Sequence, residues 1–174
     1  AKTVSRQAVV GLPVSAVFHA VVSLPKVDKK DFDAILKAEV RKLLPYPLEQ
    51  TSLDYQILPS ASDDKVERVL VNAVPRALVA FYTSIFIKAG LKLVALETEA
   101  AALTRSLVGR DTALTMLVDM GAERTNFFLV DNAVPVTHQS VELGGSRING
   151  ILAHSLGVEV SMIEGIKQDL FSAT

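Results

Sequence analysis

A short polar segment between two apolar runs carries the residue types best suited to binding a phosphate. It reads DMGA at positions 119–122 and TN at 125–126. Gly121 lets the main chain approach a ligand closely, and main-chain N–H groups in such a loop can bind phosphate oxygens. Asp119 can orient a water molecule on Mg²⁺, because hard cations prefer oxygen ligands. With Asp119 and Thr125 facing the same way, the Thr125 hydroxyl would lie on the same rim, at the start of the next strand.

Spacing alone favours a simpler interpretation of this segment, an ordinary β-hairpin in which Asp119 and Thr125 only cap the turn. Other catalytic patterns do not occur, since the sequence has no GxxxxGK[ST], GxGxxG, GxSxG or HExxH. His19, His138 and His154 are scattered and lack metal-ligand spacing. The sequence has no cysteine, which excludes thiolate zinc sites and cysteine nucleophiles.

The elements around the segment are predicted to form a strand meander followed by helices. Apolar runs predict strands at 113–118, 125–130 and 134–141, with a turn at 131–132 between the last two. Gly144-Gly145 follows, and then helices are predicted at 148–156 and 161–171. This order places the polar segment at a hairpin tip, close to a glycine turn that leads into a helix.

The first hundred residues read as an α/β module. Strands are predicted at 8–12, 16–24 and 91–96, and a hairpin at 51–58 and 66–74 around a polar turn at 60–65. Helices are predicted after Asp28, over 76–89 with Gly90 as the C-cap, and over 98–108 up to Gly109. We expect the Asp28 carboxylate to cap the first helix, and a module boundary near Gly109.

Composition limits the classes of function. Of the 174 residues, 49% are apolar and 21% charged, which is typical of a protein with a buried core. The net charge of -1 lacks the basic excess of a nucleic-acid binder, so no nucleic-acid partner is expected. No uninterrupted apolar run is long enough to span a bilayer. The chain begins at Ala1 without an initiator methionine, which suggests a piece of a longer protein.

The segment at 119–126 resembles the second phosphate loop of the actin-fold ATPases. More of the chain resembles the PilM-type pilus assembly proteins, which are related to FtsA. The stretches that carry this resemblance are VVGLPVSAVFHAVVSLP (9–25), KAEVRKLLPYPLEQ (37–50), LDYQIL (53–58), VLVNAVPRALVAFYTSIFIKAGLKLVALETEAAAL (69–103) and PVTHQSVELGG (135–145). The resemblance implies an inserted 1C-type α/β subdomain with the edge of the first lobe at 1–95. It also implies a connecting helix at 96–109 and the beginning of a second actin-like lobe at 110–174.

The resemblance also implies an ATP site with Mg²⁺. Asp119, Gly121, Thr125 and Asn126 would line the β/γ-phosphate side, with Mg²⁺ held by Asp119 through water. Gly144 and Gly145 would form the turn beside the nucleotide.

One acidic residue of the connecting helix would orient the attacking water. Glu97 and Glu99 both match that position, and the sequence does not choose between them. A solvated helix N-terminus, where carboxylates are favoured, accounts for both equally well.

For a PilM-type protein, the partner would be the N-terminal cytoplasmic peptide of a PilN-like inner-membrane protein. Candidate peptide-binding residues are Leu43, Leu44, Tyr46 and Pro47 at the end of the first helix. The alternative for the two leucines is the hydrophobic core. The resemblance therefore predicts a cytoplasmic scaffold, peripheral to the bacterial inner membrane, for type IV pilus or type II secretion assembly.

The family's first phosphate loop and its adenosine-binding segment are not found in this sequence. We therefore expect ATP binding by the full-length protein and weak or no binding by these 174 residues, with hydrolysis slow or regulatory at most. An FtsA-like cell-division protein is the main alternative. A kinase or chaperone-type ATPase and a bare interaction module with a vestigial loop are further ones. A truncated chain can also self-associate through surfaces that its missing segments cover.

Overall fold

Three small β-sheets and five α-helices make up the part of the chain that the structure, a computed structural model, describes, residues 5–59 and 65–172. The strands are β1 (Gln7–Leu12), β2 (Phe18–Pro25), β3 (Thr51–Ile57), β4 (Val66–Pro75), β5 (Lys92–Thr98), β6 (Thr115–Met120), β7 (Thr125–Asp131) and β8 (Val134–Val141). The helices are α1 (Lys29–Leu43), α2 (Arg76–Lys88), α3 (Glu99–Leu103), α4 (Gly145–Leu156) and α5 (Val160–Ser172). The predicted α/β class is confirmed.

The first two sheets belong to the N-terminal module. β1 and β5 pair in parallel, whereas β2, β4 and β3 form an antiparallel sheet in that order. The predicted hairpin of β3 and β4 is confirmed, although residues 60–64 of its predicted turn lie outside the described residues. The pairing of β2 with the far side of β4 joins residues about fifty positions apart in the chain.

Helix α1 covers one face of the β2–β4–β3 sheet because its apolar residues recur every three to four positions. Phe32, Leu36 and Val40 are buried there against Leu24 and Val69. The chain leaves the helix at Leu44, and Pro45 follows.

The predicted carboxylate cap at Asp28 is wrong. Asp28 does hold the N-cap position, but its side chain makes no capping hydrogen bond. Its main-chain carbonyl accepts the N–H groups of Asp31 and Phe32 instead, and its carboxylate lies 3.9 Å from the Lys30 Nζ.

The third sheet is the predicted meander, in the order β6–β7–β8. Asn132 and Ala133 both have positive φ, as the tight hairpin turn between β7 and β8 requires. Phe128 is fully buried in a cluster with Val14 and Ala100, so one face of this sheet packs on the N-terminal module.

Helix α3 lies between the N-terminal sheets and this third sheet in the chain. It continues as a π-helical turn at Thr104–Val108 and ends at Gly109, whose φ is +66°. The division of the chain at 95/96 and 109/110 stays a prediction.

Candidate functional site

The hairpin tip between β6 and β7 brings two of the predicted phosphate-site residues together. Asp119 and Asn126 are register partners, and the Asn126 amide donates to the Asp119 carboxylate at 3.3 Å. Asp119 is exposed, so its carboxylate is open to solvent. The turn itself is closed by the Gly121 N–H, which donates to the Arg124 carbonyl at 2.8 Å. The tip therefore presents a carboxylate and an amide on one face, and their oxygen atoms fit a hydrated Mg²⁺.

Thr125 is not on this rim, which corrects the expectation that Asp119 and Thr125 face the same way. Thr125 pairs with Met120, one position along from the Asp119–Asn126 pair, and successive residues of a strand point to opposite faces. Its side chain is buried, and its hydroxyl donates to the Leu143 carbonyl at 2.5 Å. Thr125 therefore holds the end of β8 against the tip and does not offer its hydroxyl to a ligand.

Gly144 and Gly145 lie directly against the tip. The Gly145 N–H donates to the Gly121 carbonyl at 2.9 Å, and the Ser146 N–H donates to the Ala122 carbonyl at 2.8 Å. A Cβ on Gly144 would lie 2.4 Å from the Ala122 carbonyl oxygen, far inside van der Waals contact. The φ of -125° at Gly144 is open to any residue, so backbone conformation does not require glycine here. The close approach of the Ala122 carbonyl does.

These contacts use the N–H groups at the start of α4. Those of Gly145 and Ser146 bond the tip, and those of Arg147 and Ile148 approach the Gly144 carbonyl at 3.1 Å. A helix N-terminus binds an anion through N–H groups that have no other partner, and these four N–H groups already have acceptors. The start of α4 therefore stabilises the tip, and the open polar groups of this site belong to the Asp119–Asn126 face.

Both candidate water-orienting carboxylates are engaged in internal contacts. Glu97, at the end of β5, makes a two-pronged ion pair with Arg105 at 2.7 and 2.8 Å, and this pairing lowers the pKa of Glu97. Glu99 accepts the Val14 N–H at 3.1 Å, which ties the start of α3 to the connection between β1 and β2. Both carboxylates therefore have partners within the chain, and the choice between them stays open.

A groove with a volume of about 510 Å³ lies between the β2–β4–β3 sheet and β5. Its floor is the sheet face opposite α1, where His19, Asn72 and Asp54 form a polar row across β2, β4 and β3. Apolar residues surround this row, among them Leu12, Val17, Leu70, Val74 and Leu96. Consecutive residues 93–98 border the groove, so the edge of β5 is turned towards it.

The residues predicted to bind a peptide do not line this groove. Leu43 is 51% exposed, whereas Leu44 packs against the core under α1. The Tyr46 hydroxyl donates to the Ala73 carbonyl at 3.1 Å, and burial raises the pKa of this phenol. The Pro47 carbonyl accepts the Thr51 hydroxyl at 2.9 Å. This segment fastens the end of α1 to the sheet, and its predicted part in peptide binding stays a prediction.

The sequence contained a signal for the groove residues. Ser52, Asp54 and Gln56 are the polar positions of an alternating strand, opposite in direction to Leu53. Alternation shows that they share a face, but only the packing of β5 above that face makes it a groove.

Within residues 5–59 and 65–172, no group of three or more His, Asp or Glu residues is arranged to hold a metal ion. None of the helices in the same residues has the length and apolar character needed to cross a membrane.

Comparisons with known proteins agree with this architecture. The family model described as type IV pilus assembly protein PilM matches residues 1–170. A solved PilM–PilN type IV pilus biogenesis complex matches with a TM-score of 0.75 and 25% identity, over 96% of this chain and 52% of the other. The cytoplasmic domain of EpsL, an inner-membrane component of the type II secretion system of Vibrio cholerae, has a TM-score of 0.55 at 12% identity, over 78% of this chain and 50% of that one.

The chain thus spans about half the length of each of these solved structures. The likeness to EpsL, at 12% identity, concerns the fold alone.

Proposed function

The chain belongs to the PilM family of type IV pilus assembly proteins, with an actin-like fold, and we propose that it acts there as a peptide-binding adaptor. Its partner would be the N-terminal cytoplasmic peptide of a PilN-like inner-membrane protein, which places the adaptor at the cytoplasmic side of that membrane. The solved PilM–PilN complex supports this choice of partner. The groove between β5 and the β2–β4–β3 sheet is the observation that carries the proposal.

The groove has the chemistry of a receptor for an extended peptide. A strand edge carries a row of main-chain N–H and C=O groups, and an added peptide strand can pair with them. The edge of β5 is turned to the groove along residues 93–98, and its described partner, β1, occupies the other edge. Apolar side chains around the polar row would bury alternate side chains of the peptide.

The charge of the groove also limits the peptide. Asp54 and Glu97 are among the described lining residues, and Lys and Arg are not. Glu97 is neutralised by Arg105, which leaves the Asp54 carboxylate as the charge that an occupant meets. An acidic peptide would bring like charges together, so we expect a peptide that is apolar or basic where it passes Asp54.

A titration tests this function with two matched substitutions. Ser52→Trp places an indole in the groove, and Ser23→Trp places one on an exposed position of β2 that does not line it. A labelled PilN-like N-terminal peptide from the same genome is titrated by fluorescence anisotropy. We expect Ser52→Trp to weaken binding at least about tenfold, equivalent to about 1.4 kcal/mol, with Ser23→Trp unchanged. Equal affinities for both variants would place the peptide elsewhere.

For the longer protein we also propose ATP binding at the hairpin tip. Asp119 would hold Mg²⁺ through water, with Gly121 and Asn126 beside the phosphates and Gly144 and Gly145 supporting the turn from behind. Mg²⁺ would neutralise phosphate charge there. The engagement of Glu97 and Glu99 in internal contacts supports slow or regulatory hydrolysis at most.

Calorimetry tests the nucleotide proposal. ATP with Mg²⁺ should bind the full-length protein and bind these 174 residues weakly or not at all, because affinity needs several loops acting on one ligand. Asp119→Asn in the full-length protein should weaken Mg²⁺-dependent binding. Tight binding to the 174-residue chain, or full binding by Asp119→Asn, would contradict the proposal.

A further inference from the structure

One imidazole joins the second sheet to the third. His19 lies on β2, and its Nδ1 is 2.7 Å from the Asn72 Oδ1 on the neighbouring strand β4. Its Nε2 is 2.8 Å from the main-chain carbonyl oxygen of Pro135 on β8, 116 residues away in the chain. A carbonyl oxygen can only accept, so Nε2 is the donor in this bond. In a neutral ring Nδ1 is then the acceptor and pairs with the Asn72 amide when its N–H₂ group is turned towards the ring, whereas donation from Nδ1 to the Asn72 Oδ1 requires an imidazolium. His19 therefore bridges two sheets through its two ring nitrogens.

Aromatic rings also pack against the His19 ring at this contact between β2 and β8. The His138 ring on β8 stacks on His19 with centroids 5.1 Å apart and planes 30° apart. The Phe128 ring meets His138 at 6.4 Å with a steep interplanar angle of 73°. This packing holds the His19 ring, and its two hydrogen bonds are partly buried, which strengthens them.

The bridge also forms part of the groove. His19, Asn72 and Pro135 all line it, so Pro135 is the point at which the third sheet contributes to the groove wall. If β8 moved away from β2, the groove would lose that wall. The His19–Pro135 hydrogen bond thus contributes both to the position of the third sheet, beside the Phe128 cluster, and to the shape of the groove.

We propose that His19 is a positioning residue that latches β8 onto the β2–β4–β3 sheet and thereby pre-forms the groove. The identity of the groove's occupant rests on the proposed function, whereas the latch itself does not. A pre-formed site binds more tightly because less ordering is required on binding. Loss of the latch therefore loosens the third sheet in the free chain and weakens binding of the occupant.

Spin-label distances measure the latch without any peptide. The chain has no cysteine, so Ala38→Cys on α1 and Gln139→Cys on β8 introduce a unique pair of exposed labelling sites. His19→Leu removes the donor at similar volume, whereas His19→Gln restores an N–H donor. We expect a narrow distance distribution for the parent, a broader one for His19→Leu, and recovery in His19→Gln.

Two results would overturn the latch. One is an unchanged distribution in His19→Leu, and the other is an equally broad distribution in His19→Gln, which would mean that the donor is irrelevant. Asn72→Ala provides a second variant if His19→Leu does not fold, because it removes only the β4 support of the ring. Asn72→Ala should broaden the distribution, and an unchanged one would also count against the latch.

A peptide arm adds the functional readout. With the PilN-like peptide, His19→Leu should bind about three- to tenfold more weakly, the range expected for one lost hydrogen bond. Asp54→Asn is the control for a groove residue outside the latch. Asp54 lines the groove on β3, and its substitution should leave the peptide-free distance distribution narrow. Failure of the peptide to bind even the parent would refute the proposed function, and the peptide-free arm would still decide the latch.

Discussion

The half-buried His138 on β8 gives the folded chain a specific pH dependence. Burial, together with the nearby His19 ring, lowers the pKa of His138 from 6.5 to about 4. Between these two values the unfolded chain binds a proton at this site that the folded chain does not. The contribution of His138 to the free energy of unfolding is therefore fully present above pH 6.5 and falls as the pH drops towards 4.

The size of this loss follows from the two pKa values. Lowering the pH from 7.5 to 5 should remove about 2 kcal/mol of the free energy of unfolding through His138 alone. In urea this corresponds to a midpoint lower by about 1 M, for a slope of about 2 kcal/mol per M. Because the Nδ1 of His138 is buried with no hydrogen-bond partner in the described structure, an apolar ring is a suitable replacement.

Urea unfolding at both pH values, followed by circular dichroism, separates this histidine from the carboxylates. His138→Phe cannot be protonated, so its loss of stability between pH 7.5 and 5 should be about 2 kcal/mol smaller than that of the parent. His154→Gln is the matched control, because the exposed His154 is in water in both the folded and the unfolded chain. Equal losses in the parent and His138→Phe would refute the reasoning.

Three further outcomes are expected. Gly144→Ala should destabilise the chain by about 1–3 kcal/mol, because its Cβ would clash with the Ala122 carbonyl; an unchanged melting temperature would contradict this. Tyr46→Phe should lower the free energy of unfolding in urea by about 1 kcal/mol yet bind the peptide normally, and weakened binding would support the predicted role of Tyr46 in the peptide site. For self-association of these 174 residues we propose β6, an edge strand of the described sheet on which Met116 and Val118 are 64% and 54% exposed; Val118→Lys should lower the sedimentation coefficient, and an unchanged coefficient would exclude that edge.

Local patterns predicted the elements well, because they depend on neighbours in the chain. The apolar spacing of α1 and the proline after it fix that helix, and Gly90 and Gly109 adopt the positive φ that ends a helix or turn. Strand alternation could also have corrected one error. With a four-residue tip after Met120, simple alternation places Asp119 and Thr125 on opposite faces.

The sequence by itself therefore determined the α/β elements, the family and the position of the hairpin tip at 119–126, whereas the pairing of Asp119 with Asn126 came from the strand register. Tertiary structure alone decided which sheet face became the groove, since that depends on β2 pairing with β4 and on β5 lying above them. It also decided that Tyr46 fastens a helix end and that His19 reaches Pro135. These contacts join residues 27 and 116 positions apart, and no local spacing specifies such a pairing.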